Sequence, residues 1–116
     1  MRVITGSCRG KRLVTPEGLD TRPTTDKVKE GIFNAIQFDI EGRRVLDLFA
    51  GSGQMGIEAL SRGAKSAVFV DNFGRSLECI RKNLENTKLT DLAQVVNADF
   101  ELYLTRTADV FDIVFL

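Results

Sequence analysis

Short apolar runs alternate with segments of helical spacing along most of the chain. The runs fall at residues 44–49, 66–71, 93–97 and 110–116. The second, SAVFVD, is nearly continuous in apolar side chains, as a strand covered on both faces should be. Between the runs, Met55, Ile57, Ala59 and Leu60 mark a helix over 53–61, closed by Gly63. Leu77, Ile80 and Leu84 mark a second over 74–86, and 100–107 reads as a short third. Upstream, 2–5 and 11–15 predict two short strands around the turn Gly6-Ser7-Cys8-Arg9-Gly10. A loop through Thr21-Arg22-Pro23-Thr24-Thr25 leads into a helix starting at Thr25 or Asp26 and ending near Phe38. Its predicted apolar stripe is Val28, Ile32, Phe33, Ala35 and Ile36. Strands alternating with helices predict a parallel α/β sheet with right-handed crossovers and ligands at the carboxyl ends of its strands.

The break after the first core run carries the most chemistry. VLDLFAGSGQMG (residues 45–56) sets Asp47 inside the apolar run and glycines at 51, 53 and 56 where strand should become helix. Such a turn lets backbone approach a ligand closely, and the helix start offers unpaired N–H groups and a partial positive charge. Gly51-x-Gly53-x-x-Gly56 fits the dinucleotide fingerprint, with Asp71 twenty residues after Gly51 where an acid for ribose hydroxyls is expected. Asp47 argues for a different ligand. A pyrophosphate gains nothing from a carboxylate at the strand end, whereas a cation does. S-adenosylmethionine offers an ammonium, a sulfonium, a ribose and an adenine, and no phosphate. The plain alternative is a tight turn with an incidental acid. Asp99 follows the third run, so an acid stands at or beside the end of each of three strands.

Composition narrows the classes. The chain has 116 residues, 43% hydrophobic and 28% charged, a globular mixture sufficient for one small domain. It contains no histidine, which removes the usual general base and most zinc sites, and no metal is expected. Cys8 and Cys79 are too few and too isolated for a metal cluster. No apolar run approaches membrane-spanning length and the first residues lack a signal-type core, so a cytoplasmic location is expected. Net charge is zero but uneven: residues 1–44 hold nine Lys/Arg against six Asp/Glu, and 45–116 hold seven against ten. Arg2, Arg9, Lys11 and Arg12 precede the first acid, Glu17. This suits a polyanion-binding edge, and equally a solvated basic hairpin.

Asp47 with Gly51 and Gly53 looks like the first motif of the class I methyltransferases. The wider chain resembles the RsmD type, which methylates the exocyclic N2 of one guanine in small-subunit ribosomal RNA. The likeness rests on RGKRL in the hairpin, TRPTTDKVKEGIFN (21–34), VLDLFAGSGQMGIEALSRGA (45–64), VFVD (68–71), NAD (97–99) and FDIVFL (111–116). It implies a Rossmann-like class I methyltransferase core, here the N-terminal half of its sheet, with an N-terminal β-hairpin and helix. Residues 1–43 would form the RNA-facing and cofactor-closing segment, and 44–116 the S-adenosylmethionine-binding α/β part. The resemblance implies that Asp47, Gly51, Ser52 and Gly53 surround the methionine portion of the cofactor. Asp71 would hold the ribose hydroxyls, with Asn72 at the adenosine edge. Asp99 would accept from the adenine amine, with Phe100 near the ring and Thr24 closing the site. Arg9, Lys11, Arg12 and Arg22 would meet RNA phosphates.

The family continues into an Asp/Asn-Pro-Pro-Tyr motif that holds the target amine and stacks on the flipped base. This sequence stops at Leu116, has only Pro16 and Pro23, and has Tyr103 as its one tyrosine. The expectations are therefore no catalytic residue among these 116, no methyl transfer by the chain alone, and self-association through an exposed fourth strand. Three other functions stay open. They are an N-methyltransferase of this fold acting on DNA, a nicotinamide-dependent oxidoreductase domain, and a non-catalytic binding module.

Overall fold

The computed structural model describes residues 1–15, 26–48 and 50–116. In chain order the elements are α1 (Asp26–Ala35), β1 (Arg44–Leu48), α2 (Gln54–Ser61), β2 (Ser66–Asp71), α3 (Gly74–Thr87), a 3₁₀ turn at Thr90–Leu92, β3 (Ala93–Asn97), α4 (Phe100–Arg106) and β4 (Ile113–Phe115). The four strands form one parallel sheet in the order β3-β2-β1-β4. The chain steps outward from β1 to β3 and then returns to the far side of β1. The order therefore reverses between β1 and β4, the place where open α/β sheets form ligand crevices.

Alternation along β1 and β2 sorts their side chains to two faces. Val45, Ala67 and Phe69 join Ile57, Ile80 and Leu84 in the larger core cluster. That cluster also takes in Val3, Cys8, Leu13, Phe33 and Ile40 from the N-terminal part of the chain. Leu46, Leu48, Val68 and Val70 form the opposite layer, packed against Phe100, Tyr103 and Phe111. Gly56 lets α2 approach the sheet: a Cβ there would lie 2.3 Å from Phe69 Cε1. Gly56→Ala should cost about 1–3 kcal/mol by overpacking, read as a lowered urea midpoint.

The predicted bounds of β2 and β3 match the structure, and α3 runs one residue longer than predicted. Four predictions are corrected. The hairpin strands reduce to a single antiparallel bridge, Arg2 with Arg12, because residues 4–8 bond to α2 instead of to each other. Of the stripe on α1, only Phe33 is buried. Ile36 is partly buried, Ala35 is exposed, and Val28 and Ile32 are 53% and 38% exposed. Lys29 is buried in their place, drawn in by a carboxylate on α2. The helix also stops at Ala35 rather than near Phe38. Lastly, β4 spans three residues, paired from Val45–Ile113 to Asp47–Phe115. Val110 lies off the sheet at 72% exposure, while the Asp112 carboxylate accepts from the Arg44 N–H.

Candidate functional site

The site is built at the carboxyl ends of β1, β2 and β3. Leaving β1, the chain turns through Gly51 (φ +60°) and Gly53 (φ +80°), left-handed conformations that favour glycine. The Gly51 N–H donates to Asp71 Oδ2 at 3.0 Å, and the Phe73 N–H donates to Asp71 Oδ1 at 2.9 Å. Asp71 thus ties the glycine loop to the end of β2. Beside it lies a cleft of about 130 Å³ lined by Val70, Asp71, Asn72, Ala98, Asp99 and Phe100. Four residues singled out by the resemblance therefore converge on one cleft between the ends of β2 and β3. Asp99 also caps α4, its Oδ1 accepting from the Glu101 N–H at 2.8 Å, and Phe100 packs on the Leu46–Val70 layer.

Asp47 plays an inward part. It shares the face of Val45 and is 3% exposed, and its Oδ2 accepts from the Gly56 N–H at 3.0 Å in the first turn of α2. Burial pushes its carboxyl up from 3.8 to about 7. The Gly56 N–H works against that shift, and the charge of Asp71 adds to it. Ser52 also faces inward: its hydroxyl donates to Met1 Sδ at 3.3 Å and its carbonyl accepts from Asn83 Nδ2 at 2.8 Å. At Gly53 a Cβ would crowd Phe69 and Ile80, at 3.3 and 3.4 Å. Arg9, Lys11 and Arg12 are exposed on the hairpin, and among the described residues none pairs with a carboxylate. Arg22 and Thr24, and the proposed N-cap Thr25, lie outside the described residues.

These features fit a cationic nucleoside better than a diphosphate. Two carboxylates flank the glycine loop, and one of its amides, the Gly51 N–H, already serves Asp71. The whole chain, residues 1–116, matches the family model described as conserved hypothetical protein 95. It belongs to that family. The relatives agree with the RsmD resemblance. YlbH of Bacillus subtilis, named for a proposed rRNA methyltransferase activity, is 51% identical over 93% of this chain and 59% of its own length. Ribosomal RNA small subunit methyltransferase D of Escherichia coli is 38% identical over all of this chain and 58% of its own. The solved structure of YhhF from Escherichia coli, described as a proposed methyltransferase, superposes with a TM-score of 0.88 at 39% identity, covering 98% of this chain and 61% of that one. The family member described here thus spans about three-fifths of the length of these relatives. Its architecture is the Rossmann-like core of the class I methyltransferases, with an N-terminal hairpin and helix.

Three features of this family member went unread in the sequence. Gln54, the first residue of α2, is 6% exposed and its Oε1 has no donor. Asn83 is fully buried, and its side chain bonds to both Val14 and Ser52. Lys29 and Glu58 form an ion pair with both side chains wholly buried. One signal existed for Asn83, which stands between Ile80 and Leu84 on the apolar face of α3. The charged pair looked like ordinary helix-surface chemistry.

Proposed function

We propose that this chain is the methyl-donor-binding part of an S-adenosylmethionine-dependent methyltransferase acting on small-subunit ribosomal RNA in the cytoplasm. The observation that carries the reading is the Gly51–Asp71 hydrogen bond, which fills the glycine loop with an internal anion and leaves it suited to a cation. The names of the relatives support ribosomal RNA as the substrate. Guanine N2 as the methylated atom rests on the motif resemblance.

S-adenosylmethionine, when bound, supplies a methyl group already activated on a sulfonium. The chain's own work is then to bind and orient. Each Asp71 oxygen has accepted one backbone N–H and keeps a lone pair, enough for two ribose hydroxyls. Asp99 likewise keeps acceptor capacity beyond the Glu101 N–H, and Phe100 and Asn72 wall the same cleft. Asp47 and Asp71 provide the negative field. The Gln54 Oε1, buried without a donor, is an acceptor that a bound ammonium would satisfy. Arg9, Lys11 and Arg12 offer their charges to RNA phosphates.

Calorimetry on the 116-residue chain should show binding of S-adenosylhomocysteine and none of the oxidised nicotinamide dinucleotide; the reverse result would overturn the reading. Asp71→Ala removes the acceptor for the ribose hydroxyls, a loss of about 1.5–3 kcal/mol per bond, so S-adenosylhomocysteine should bind at least about 10- to 100-fold more weakly, the figure for one such bond. The same reading includes self-association through β4. That strand forms a sheet edge, and its Val114 is 48% exposed. Sedimentation at rising concentration should reveal dimers or larger species, and a monomer throughout would remove this part of the reading.

A further inference from the structure

The basic N-terminal segment and the glycine loop are far apart in sequence, yet one side chain touches both. The Asn83 amide is fully buried. Its Oδ1 accepts from the Val14 N–H at 2.8 Å. Its Nδ2 donates to the Val14 carbonyl at 2.9 Å and to the Ser52 carbonyl at 2.8 Å. Val14 follows Lys11, Arg12 and Leu13, and Ser52 stands between Gly51 and Gly53. A second link runs in parallel, from the Ser52 hydroxyl to Met1 Sδ.

We infer that Asn83 is a positioning residue that couples the basic segment to the glycine loop, so that RNA at the first and cofactor at the second strengthen each other's binding. The inference rests on the function proposed above. Its physical basis is that a buried amide tolerates unmade hydrogen bonds poorly, so the three bonds hold or open together. Opening frees both the segment around Val14 and the loop. A ligand at either end favours the closed arrangement, and the second ligand then meets a segment already ordered. The coupling is reciprocal by linkage.

The test uses the full 116-residue chain with S-adenosylhomocysteine and a fluorescent RNA stem-loop from small-subunit ribosomal RNA. S-adenosylhomocysteine affinity is measured with and without saturating RNA. Wild type should show at least about a fivefold gain with RNA, the lower end of ordinary site-to-site coupling. Asn83→Ala should bring that ratio to one while binding of each ligand alone is still measurable. Val14→Pro, which removes one donor without altering the buried amide, should reduce the ratio as well. Amide exchange supplies a readout that needs no variant: S-adenosylhomocysteine alone should slow exchange at the Val14 N–H in wild type. If Asn83→Ala does not fold, the Val14→Pro and exchange measurements decide. A ratio of one in wild type, or a Val14 amide indifferent to the cofactor analogue, overturns the coupling. A chain that binds no S-adenosylhomocysteine at all overturns the functional reading itself, and the coupling with it.

Discussion

Asp47→Asn should make the chain more stable near neutral pH and a poorer cofactor binder. In the folded chain the Asp47 carboxyl is displaced from 3.8 to about 7, chiefly by burial. The folded state therefore holds this proton more tightly than the unfolded one. The sign follows from linkage: the contribution to stability is fully present below the ordinary carboxyl value and is lost as pH rises through about 7. At about 1.36 kcal/mol per pKa unit, the loss across that window is on the order of 4 kcal/mol. An amide of the same shape carries no such penalty and can still accept from the Gly56 N–H. Urea unfolding between about pH 5 and pH 8 should show wild-type stability falling and the variant's nearly level. With no histidine in the chain, no side chain of ordinary pKa confuses the upper part of this window. Binding should move the other way. Wild-type affinity for S-adenosylhomocysteine should rise as Asp47 ionises, whereas the variant should match wild type at low pH and fall behind it as pH passes about 7. Stability that rises with pH in wild type would sink the assignment. The expected pattern is a functional acid held at a cost in stability.

Glu58→Ala should be the most damaging change away from the cleft, at about 3–5 kcal/mol. Its carboxylate accepts from the Ile4 and Thr5 N–H groups at 2.8 and 3.0 Å and from Arg62 Nε at 2.9 Å, with Lys29 Nζ at 3.4 Å. Removal leaves the Lys29 ammonium without its counter-charge at full burial, and leaves two backbone donors without an acceptor. Among the described residues, Lys29 would keep the Arg2 carbonyl, at 2.8 Å. Lys29→Met should cost less, since Glu58 retains Arg62 and both backbone donors. The double substitution should cost clearly less than the two single losses combined, because each single change strands the other's charge. A cycle of urea melts measures this. Strict additivity would mean that the two charges do not interact. The same contacts explain why the N-terminal segment has little strand structure. The Ile4, Thr5, Ser7, Cys8 and Val14 N–H groups go to Glu58, Ser61 and Asn83 on α2 and α3, while those of Val3 and Leu13 still bond across the turn to the Lys11 and Met1 carbonyls.

Much of the fold could be read from local pattern. The bounds of β2 and β3 follow from apolar runs flanked by polar and charged residues. The αL glycines at 51 and 53 follow from the strand-to-helix turn. The cleft residues Asp71, Asn72, Asp99 and Phe100 were legible because they sit immediately after strands, and strand ends in a parallel sheet share one rim. The α1 stripe misled because helical period identifies an apolar face but not which face a distant carboxylate will claim. Asp47 was read as facing a ligand, and in the structure its carboxylate accepts from the Gly56 amide. Only the packing of α2 on β1 brings these two together.

The sequence by itself determined the alternation of strands and helices, the glycine turn, and an acid at the close of each of the first three strands. Those depend on periods of two and 3.6 residues and on local backbone sterics. Tertiary structure decided which polar side chains became interior partners. Glu58 meets Ile4 across 54 positions and Asn83 meets Val14 across 69, spans over which no local pattern constrains geometry. A buried donor or acceptor must find its complement wherever the fold delivers one, and that choice is made in space rather than along the chain.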